Sequence, residues 1–221
     1  MDAKSILFSE MRPDPSWEGE FNSWYHTEHI PVRLRIAGFE GAQRYKASED
    51  ENYLVVYDMT SLDVLKTPQY QVVKNEPSER TAWMLANVTN FTRYLGTEIG
   101  REGRIDDETI EAPLIFVAMF NVPDQDKADF DGWMTQDHMP ILLRNPDWLG
   151  VRRFELTVAE PTPFNRLSIH YLASSQALSS PERAEARGTE WRARLAQKPW
   201  FGQGFYKGFT RLDHRYTPQN V

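Results

Sequence analysis

The 221-residue chain contains no cysteine. Disulfides, thiolate metal sites and cysteine nucleophiles are therefore excluded together. No apolar run is long enough to cross a bilayer, and the first residues lack the hydrophobic region of a signal peptide, so we expect a soluble cytoplasmic protein. The 25 basic residues are outnumbered by 32 acidic ones, a net charge of −7. This balance argues against a nucleic-acid partner, whereas a local arginine cluster can still bind an anionic substrate.

Motifs for cofactors and activated nucleophiles are also missing. The sequence has no phosphate-cradling glycine loop, no Gly-x-Ser-x-Gly elbow and no dinucleotide fingerprint. His26 and His29 stand three residues apart and could share a metal, but no acid completes a facial triad. We therefore predict neither a metal nor an organic cofactor.

One motif occurs twice. The pattern Trp-x-x-x-acid-His-x-Pro, followed ten residues later by Gly-x-x-Arg-aromatic, begins at Trp24 and again at Trp133. Every motif position lies at the same offset in the second copy, without a gap. A repeat of this length predicts two related structural units. We assign the first repeat to residues 1–100, a linker to 101–111 and the second repeat to 112–221.

Each repeat has the same predicted order of elements, β-α-β-β-α-β, which is the ferredoxin-like arrangement. In the first repeat Pro31 is expected to end the motif helix, because the residue before a proline is disfavoured in the helical region. The predicted elements of that repeat are a strand at 4–11, a helix at 17–29, strands at 41–46 and 53–59, a helix at 78–86 and a strand at 88–95. Such a sheet is covered by helices on one face only. Packing the two bare faces together predicts one pseudo-dimeric α+β barrel with the helices outside.

The motif carries a family resemblance. Glu28-His29-x-Pro31, followed by Gly38-Phe39-x-x-Ala42-x-Arg44-Tyr45, resembles the EthD-like branch of the dimeric α+β barrel superfamily, here as a fused tandem repeat. That superfamily contains lyases, isomerases, monooxygenases and haem enzymes, so the resemblance specifies the fold better than the function. Haem enters only through this kinship, without an assigned axial histidine.

The acid-histidine pair of each copy has two interpretations. On a helical wheel Glu28 lies within the sheet-facing aromatic stripe, where a carboxylate needs a partner. Its candidate partners are Arg33, Arg35 and Arg44, and those of Asp137 are Arg144 and Arg153. The pair could thus be a buried structural ion pair. Alternatively, His29 and His138 act as general acids or bases near neutral pH.

Differences between the copies indicate where function is concentrated. Tyr25 and Arg33 occur only in the first repeat. The second repeat has His170 where the first has Tyr57, and strand alternation puts Ser168 on the same face as His170. A polar face on a central strand would suit a ligand cavity.

Together these features predict a cofactor-independent isomerase that acts on a small, carboxylated, unsaturated metabolite such as an aromatic ring-cleavage product. Lyase, decarboxylase or hydrolase chemistry, or a non-catalytic ligand-binding barrel, are the alternatives. We expect a monomer or homodimer with no membrane partner. The predicted catalytic residues are His29, His138, His170, Tyr25 and Tyr57. The predicted substrate-binding residues are Arg33, Arg44, Arg153, Trp24, Trp133 and Ser168, with Glu28 and Asp137 as orienting or structural groups.

Overall fold

The computed structural model describes residues 4–221 and divides the chain into two compact units. The N-terminal unit contains the chain up to Thr97, with Thr157–Pro161 and Leu212–Val221. The C-terminal unit contains Glu98–Leu156 and Thr162–Arg211. The first repeat was predicted to begin at Met1, and its first three residues lie outside the described part.

Four antiparallel strands form the sheet of the N-terminal unit, in the order β4-β1-β3-β2. The strands are β1 (Ser5–Met11), β2 (Phe39–Ala47), β3 (Tyr53–Met59) and β4 (Arg93–Gly103). The helices are α1 (Glu18–Trp24), α2 (Ile30–Leu34), α3 (Pro68–Asn75) and α4 (Glu79–Asn87). Strands β1 and β3 are the two central strands of this sheet, and both are buried along their whole length.

The C-terminal unit has an antiparallel sheet in the equivalent order, β8-β5-β7-β6. Its strands are β5 (Leu114–Phe120), β6 (Trp148–Glu160), β7 (Arg166–Leu172) and β8 (Phe205–Arg211). Its helices are α5 (Asp107–Ile110), α6 (Lys127–Trp133), α7 (Met139–Leu142), α8 (Pro181–Gly188) and α9 (Glu190–Leu195). The predicted α+β class is confirmed. No helix in residues 4–221 is long and apolar enough to cross a membrane.

The motif helix does not end at its proline, contrary to the prediction. After α1 the backbone passes through a π turn at Tyr25–His29 and continues as α2, which contains Pro31. The Ile30 N–H bonds to the Tyr25 carbonyl five residues back. Proline lacks an N–H and crowds the carbonyl four residues before it, and the widened turn moves that carbonyl away. The second copy repeats the device at Met134–His138, again before a proline.

Other boundaries also differ from the prediction. The last strand of the first repeat starts at Arg93 instead of Val88, and β4 runs on into the segment predicted as a linker. Asn90, just before this strand, has φ 53°, a left-handed turn conformation that an extended strand does not contain. The helix α3 was missed because its short amphipathic pattern lies between polar residues.

The last ten residues, which belong to the N-terminal unit, pack against its strands β2 and β3. Arg215 forms a buried ion pair with Asp58 on β3, at 2.7 Å, and the Tyr216 backbone pairs with Ala42 on β2. A Cβ at Gly41 would lie 2.4 Å from the Arg215 guanidinium, so this side chain approaches the β2 backbone closely. A larger residue at position 41 would require the Arg215 side chain to shift.

Candidate functional site

A pocket of about 860 Å³ lies in the N-terminal unit between the sheet and its helices. This volume is within the range of roughly 300–1,000 Å³ typical of small-molecule sites. Leu7 on β1, Val55 on β3 and Leu95 on β4 contribute apolar walls, and Phe91 lies at the exposed side. Its polar and charged lining includes Ser9, His29, Arg33, Tyr57, Lys66, Lys74, Thr81, Arg93 and Glu160. The pocket is thus mainly apolar with a few polar groups.

His29 contributes a neutral imidazole to the pocket lining. Its side chain is only 4% exposed, and its ring centroid lies 4.0 Å from Trp24 and 5.0 Å from Tyr25. Burial keeps the pKa of His29 well below its usual value, and the charges of Arg33 and Arg44 lower it further. Its Nδ1 is buried without a hydrogen-bond partner among residues 4–221. An unpaired buried nitrogen is costly, and such groups often belong to functional sites.

Tyr57 adds a second unpaired polar atom. Its hydroxyl is buried and has no hydrogen-bond partner in the described part of the chain, and burial raises its pKa. Tyr25, by contrast, lies outside the pocket lining and donates its hydroxyl proton to Met11 Sδ at 3.4 Å. Burial raises the pKa of Tyr25 to about 12. Both phenols are therefore neutral hydrogen-bond donors at neutral pH.

Two arginines give the pocket a positive potential. Arg33 donates to the His29 carbonyl at 2.7 Å, and its guanidinium lies 5.6 Å above the Tyr57 ring. Arg93 donates to the Tyr70 hydroxyl at 3.2 Å. Within residues 4–221 neither arginine has a carboxylate in ion-pair distance. An anionic group on a bound molecule would supply that missing charge.

Arg44 does not line the pocket. It is buried beneath Tyr25, with its guanidinium 4.5 Å above that ring. It donates to Asn22 at 2.6 Å, contacts His26 Nε2 at 2.8 Å and lies 3.6 Å from Asp213. In this position Arg44 supports the back of the π turn.

Glu28 pairs with hydroxyl groups rather than with the expected arginines. It accepts from Thr81 at 2.6 Å and from Ser78, and Arg80 lies 3.8 Å away. The predicted pairing with Arg33, Arg35 or Arg44 is wrong, because the wheel assumed a regular helix and the π turn advances less per residue. Thr81 also accepts from Trp24 Nε1 at 2.9 Å. Glu28 and Trp24 thus hold the Thr81 hydroxyl at the pocket wall.

In the C-terminal unit the corresponding histidine, His138, has a hydrogen-bond partner. The His138 ring lies 4.5 Å from Trp133, and its Nδ1 is 3.2 Å from the Ala186 carbonyl. Burial lowers the pKa of His138 to about 4, against a small opposing effect of the nearby Asp137 charge. The π turn therefore carries a bonded histidine in one repeat and an unpaired nitrogen in the other.

His170 is engaged at both nitrogens. Trp148 Nε1 donates to its Nδ1 at 3.1 Å, and Ser168 Oγ lies 3.0 Å from its Nε2. Burial lowers the pKa of His170 to about 3. Ser168 and His170 do share a face, as predicted, but a tryptophan side chain fills the space beside them.

Larger side chains occupy the equivalent positions of the second repeat. Phe116 and Phe120 stand where the first repeat has Leu7 and Met11, and Trp148 stands in place of Phe39. A cavity lined by Ser168 and Arg153 has a volume of only about 10 Å³, too small for a substrate. Arg153 itself is paired with Glu102 at 2.6 Å.

Sequence reasoning missed Arg93, Tyr70 and Thr81. Arg93 belongs to a Phe-Thr-Arg triplet that recurs at residues 209–211. Arg93 lines the pocket, and nothing in that triplet distinguishes it from Arg211 in the second copy. Thr81 lies on α4, where no motif marked it, so only the tertiary structure reveals it.

Proteins of known structure share the fold of this chain, whereas comparison of its sequence gave no match. Neither the protein-family models nor the curated proteins gave a match. An anthrone oxidase-like protein of known structure is 13% identical, with a TM-score of 0.73 over 99% of this chain and 94% of its own. A proposed monooxygenase from Lactobacillus acidophilus is 10% identical, with a TM-score of 0.59 over 97% of each chain. A mutant chlorite dismutase from Candidatus Nitrospira defluvii is 9% identical, with a TM-score of 0.61 over 95% of this chain and 90% of its own.

The chain has the fold of these structures. At 9–13% identity this likeness shows a shared α+β fold, in agreement with the predicted fold class. Their named activities are oxidative, and the predicted cofactor-independent isomerase is therefore wrong. The same names do not favour the lyase, decarboxylase, hydrolase or non-catalytic alternatives either.

The superfamily that the motif resembles includes haem enzymes, and a haem in this pocket would need an axial ligand. His29 is the histidine in the pocket lining. Metal-ligating histidines almost always donate their second ring N–H to an acceptor, and His29 Nδ1 has no acceptor within residues 4–221. No group of three His, Asp or Glu residues in that range could hold a metal ion either. These residues do not fit a haem or metal ligand set, and no step below is routed through one.

Proposed function

We propose that the protein is an oxidase or monooxygenase that oxidises an aromatic compound with molecular oxygen in the pocket of the N-terminal unit. The observation that carries this proposal is the set of unpaired polar groups in one apolar pocket. His29 Nδ1 and the Tyr57 hydroxyl lack partners, and Arg33 and Arg93 lack counter-ions, among the described residues. The names of an anthrone oxidase-like protein and a proposed monooxygenase that share the fold support the same reaction class.

The size and lining of the pocket support a multi-ring substrate. A volume of about 860 Å³ accommodates several fused rings, and the walls are largely aliphatic and aromatic. The anthrone oxidase-like protein suggests a tricyclic phenol or ketone as the substrate class. Anthrone itself, called the tricyclic probe below, is a suitable first compound.

The proposed reaction starts with removal of a proton from the CH₂ carbon of the probe's central ring, opposite the ketone. The electron pair left behind spreads to the ketone oxygen, which becomes a phenolate. This electron-rich anion reduces O₂, and a C–O bond forms at the same carbon to give a peroxide. Loss of water then gives the quinone. One O₂ is consumed per substrate, and the substrate supplies all the electrons.

We assign the proton transfer to His29 and the stabilisation of the oxyanion to Arg33, Arg93 and Tyr57. Burial leaves His29 unprotonated, so it can accept a proton. The substrate anion formed beside it would offset the cost of a buried imidazolium. Arginine charges and a phenolic donor held in an apolar site are effective where negative charge develops. Tyr25, Trp24 and Arg44 hold the π turn that carries His29.

The test is oxygen uptake with the tricyclic probe and ¹⁸O₂. We expect enzyme-dependent consumption of one O₂ per quinone formed, with one ¹⁸O atom in the quinone and the other in water. The uncatalysed oxidation is subtracted with a protein-free blank. Uptake no faster than that blank, across the probe and a panel of other polycyclic phenols, would contradict the proposal. Stoichiometric isomerisation without oxygen uptake would contradict it as well.

We also propose the finer architecture expected from the sequence. In this proposal residues 1–100 and 112–221 are fused ferredoxin-like repeats of the EthD-like type, and the first has kept a substrate pocket. The equivalent strand orders of the two sheets and the paired π turns support a common origin. Whether the chain acts as a monomer or as a homodimer stays a prediction.

A further inference from the structure

Three arginines on the C-terminal unit are grouped around an aromatic surface. Arg183 and Arg187 lie one turn apart on α8, and Arg192 lies on the first turn of α9. Residues four apart share one face of a helix, where two like charges repel each other. The fourth member of the group is Tyr206 on β8, whose side chain is 48% exposed. We call these four residues the arginine cluster.

Hydrogen bonds and ring contacts fix the positions of two of the guanidinium groups. Arg183 donates to the Leu178 carbonyl at 2.5 Å and lies 5.6 Å above the Phe116 ring. That ring stacks on Tyr206, with centroids 6.2 Å apart. Arg192 donates to the Arg187 carbonyl at 3.1 Å, which links α9 to the end of α8. The arginines are therefore held near one another and near Tyr206.

The arginine cluster lacks compensating charge. None of its three arginines forms an ion pair with a carboxylate within residues 4–221, whereas Arg144, Arg166 and Arg194 of the same unit do. The acidic residues of α8 point elsewhere: Glu182 binds Asn145, and Glu185 binds Arg144. Burial lowers the pKa of Arg183 and of Arg192, and the charge of Arg187 lowers both further. Their mutual repulsion is thus left in place.

We propose that Arg183, Arg187, Arg192 and Tyr206 form a binding site for a phosphate-type dianion, such as a phosphate monoester or a pyrophosphate group. Guanidinium groups bind phosphate oxygens in a bidentate manner, and the Tyr206 hydroxyl supplies a further donor. Three positive charges favour a dianion over a monoanionic carboxylate. The site lies within the C-terminal unit, and the inference does not depend on the oxidative function.

The test is isothermal titration of the full chain with pyrophosphate, inorganic phosphate and acetate at constant ionic strength and pH 7.5. We expect saturable binding of pyrophosphate to one site per chain, at least tenfold tighter than that of acetate. The Arg187→Gln variant should bind at least tenfold more weakly. Because the Arg187 side chain is exposed, this change should leave the fold intact, which circular dichroism verifies.

The matched control is Arg194→Gln. Arg194 lies on α9, is 65% exposed and pairs with Asp129 outside the arginine cluster. The substitution removes the same charge as Arg187→Gln does. It should keep the wild-type affinity for pyrophosphate. Equal weakening by both substitutions would reduce the effect to general electrostatics and overturn the proposal. So would pyrophosphate binding no tighter than acetate. Oxygen uptake by Arg187→Gln serves as a separate readout, and the two proposals can therefore fail independently.

Discussion

Replacing His29 by Asn lowers kcat for oxygen uptake at least about 100-fold, the usual range for loss of a general base. Asparagine keeps a planar polar side chain but cannot accept a proton at neutral pH. The substrate would still bind through the apolar walls and the two arginines, so KM should change much less than kcat. The measurement is steady-state oxygen uptake with the tricyclic probe, after folding has been checked by near-ultraviolet circular dichroism.

The second repeat provides the matched control for His29. His138→Asn changes the same residue type at the same place in the π turn, beside Trp133 instead of Trp24. Asparagine can keep the hydrogen bond to the Ala186 carbonyl. We expect kcat within about twofold of the wild type, since His138 lies outside the pocket lining. Equal losses in both variants would indicate a purely structural role for the motif histidine.

Acidification is expected to destabilise the protein strongly between pH 7.5 and pH 5. His170 is 2% exposed, and burial lowers its pKa to about 3, against about 6.5 in an unfolded chain. Between these values the unfolded state binds a proton that the folded state does not, so the free energy of unfolding falls as the pH falls. At about 1.4 kcal/mol per pH unit, His170 alone removes about 2 kcal/mol by pH 5. Buried His29 acts in the same direction, and so does His138, whose pKa burial lowers to about 4.

Urea unfolding at the two pH values measures this effect, and His170→Asn isolates one contribution. An asparagine oxygen can still accept the Trp148 hydrogen bond without titrating. The variant should lose less stability on acidification than the wild type, by about 2 kcal/mol. An identical pH dependence in both proteins would show that His170 is not a buried neutral histidine in solution.

The sequence predicted the α+β class because the duplicated motif and its strand pattern recur along the whole chain. Predictions from the sequence were wrong where the backbone departs from a regular helix. The π turn at Tyr25–His29 has more residues per turn than the regular helix that the helical wheel assumes. Glu28 therefore accepts hydrogen bonds from Thr81 and Ser78 and does not pair with the predicted arginines. The prediction that Pro31 ends the helix was wrong for the same reason, because the π turn accommodates the proline.

The candidate site was only partly accessible to sequence reasoning. His29, Arg33 and Tyr57 were selected from the motif and from differences between the repeats, and all three line the pocket. Arg44 and Arg153 belong to the same motif but are committed to other contacts. The volume of neighbouring side chains decides whether space for a ligand remains. In the second repeat Trp148 lies beside His170 and fills that space. A single sequence does not reveal such filling, since it depends on which side chains meet across a sheet.

The reaction class could not be reached from the sequence for a related reason. A histidine, a phenol and an arginine in an apolar pocket can move a proton in many reactions, and isomerisation was one of them. We propose oxidation instead. In that proposal proton removal is still the first step, and the resulting anion passes its electrons to oxygen.

We propose that the pocket of the N-terminal unit is the substrate site, and anaerobic equilibrium titration with the tricyclic probe tests this most directly. The compared proteins are the wild type and a variant in which Leu7→Phe and Met11→Phe install the second repeat's side chains beside the pocket. We predict one probe bound per chain in the wild type and at least tenfold weaker binding in the filled variant. Two probes per chain, or unchanged binding in the filled variant, would contradict the account.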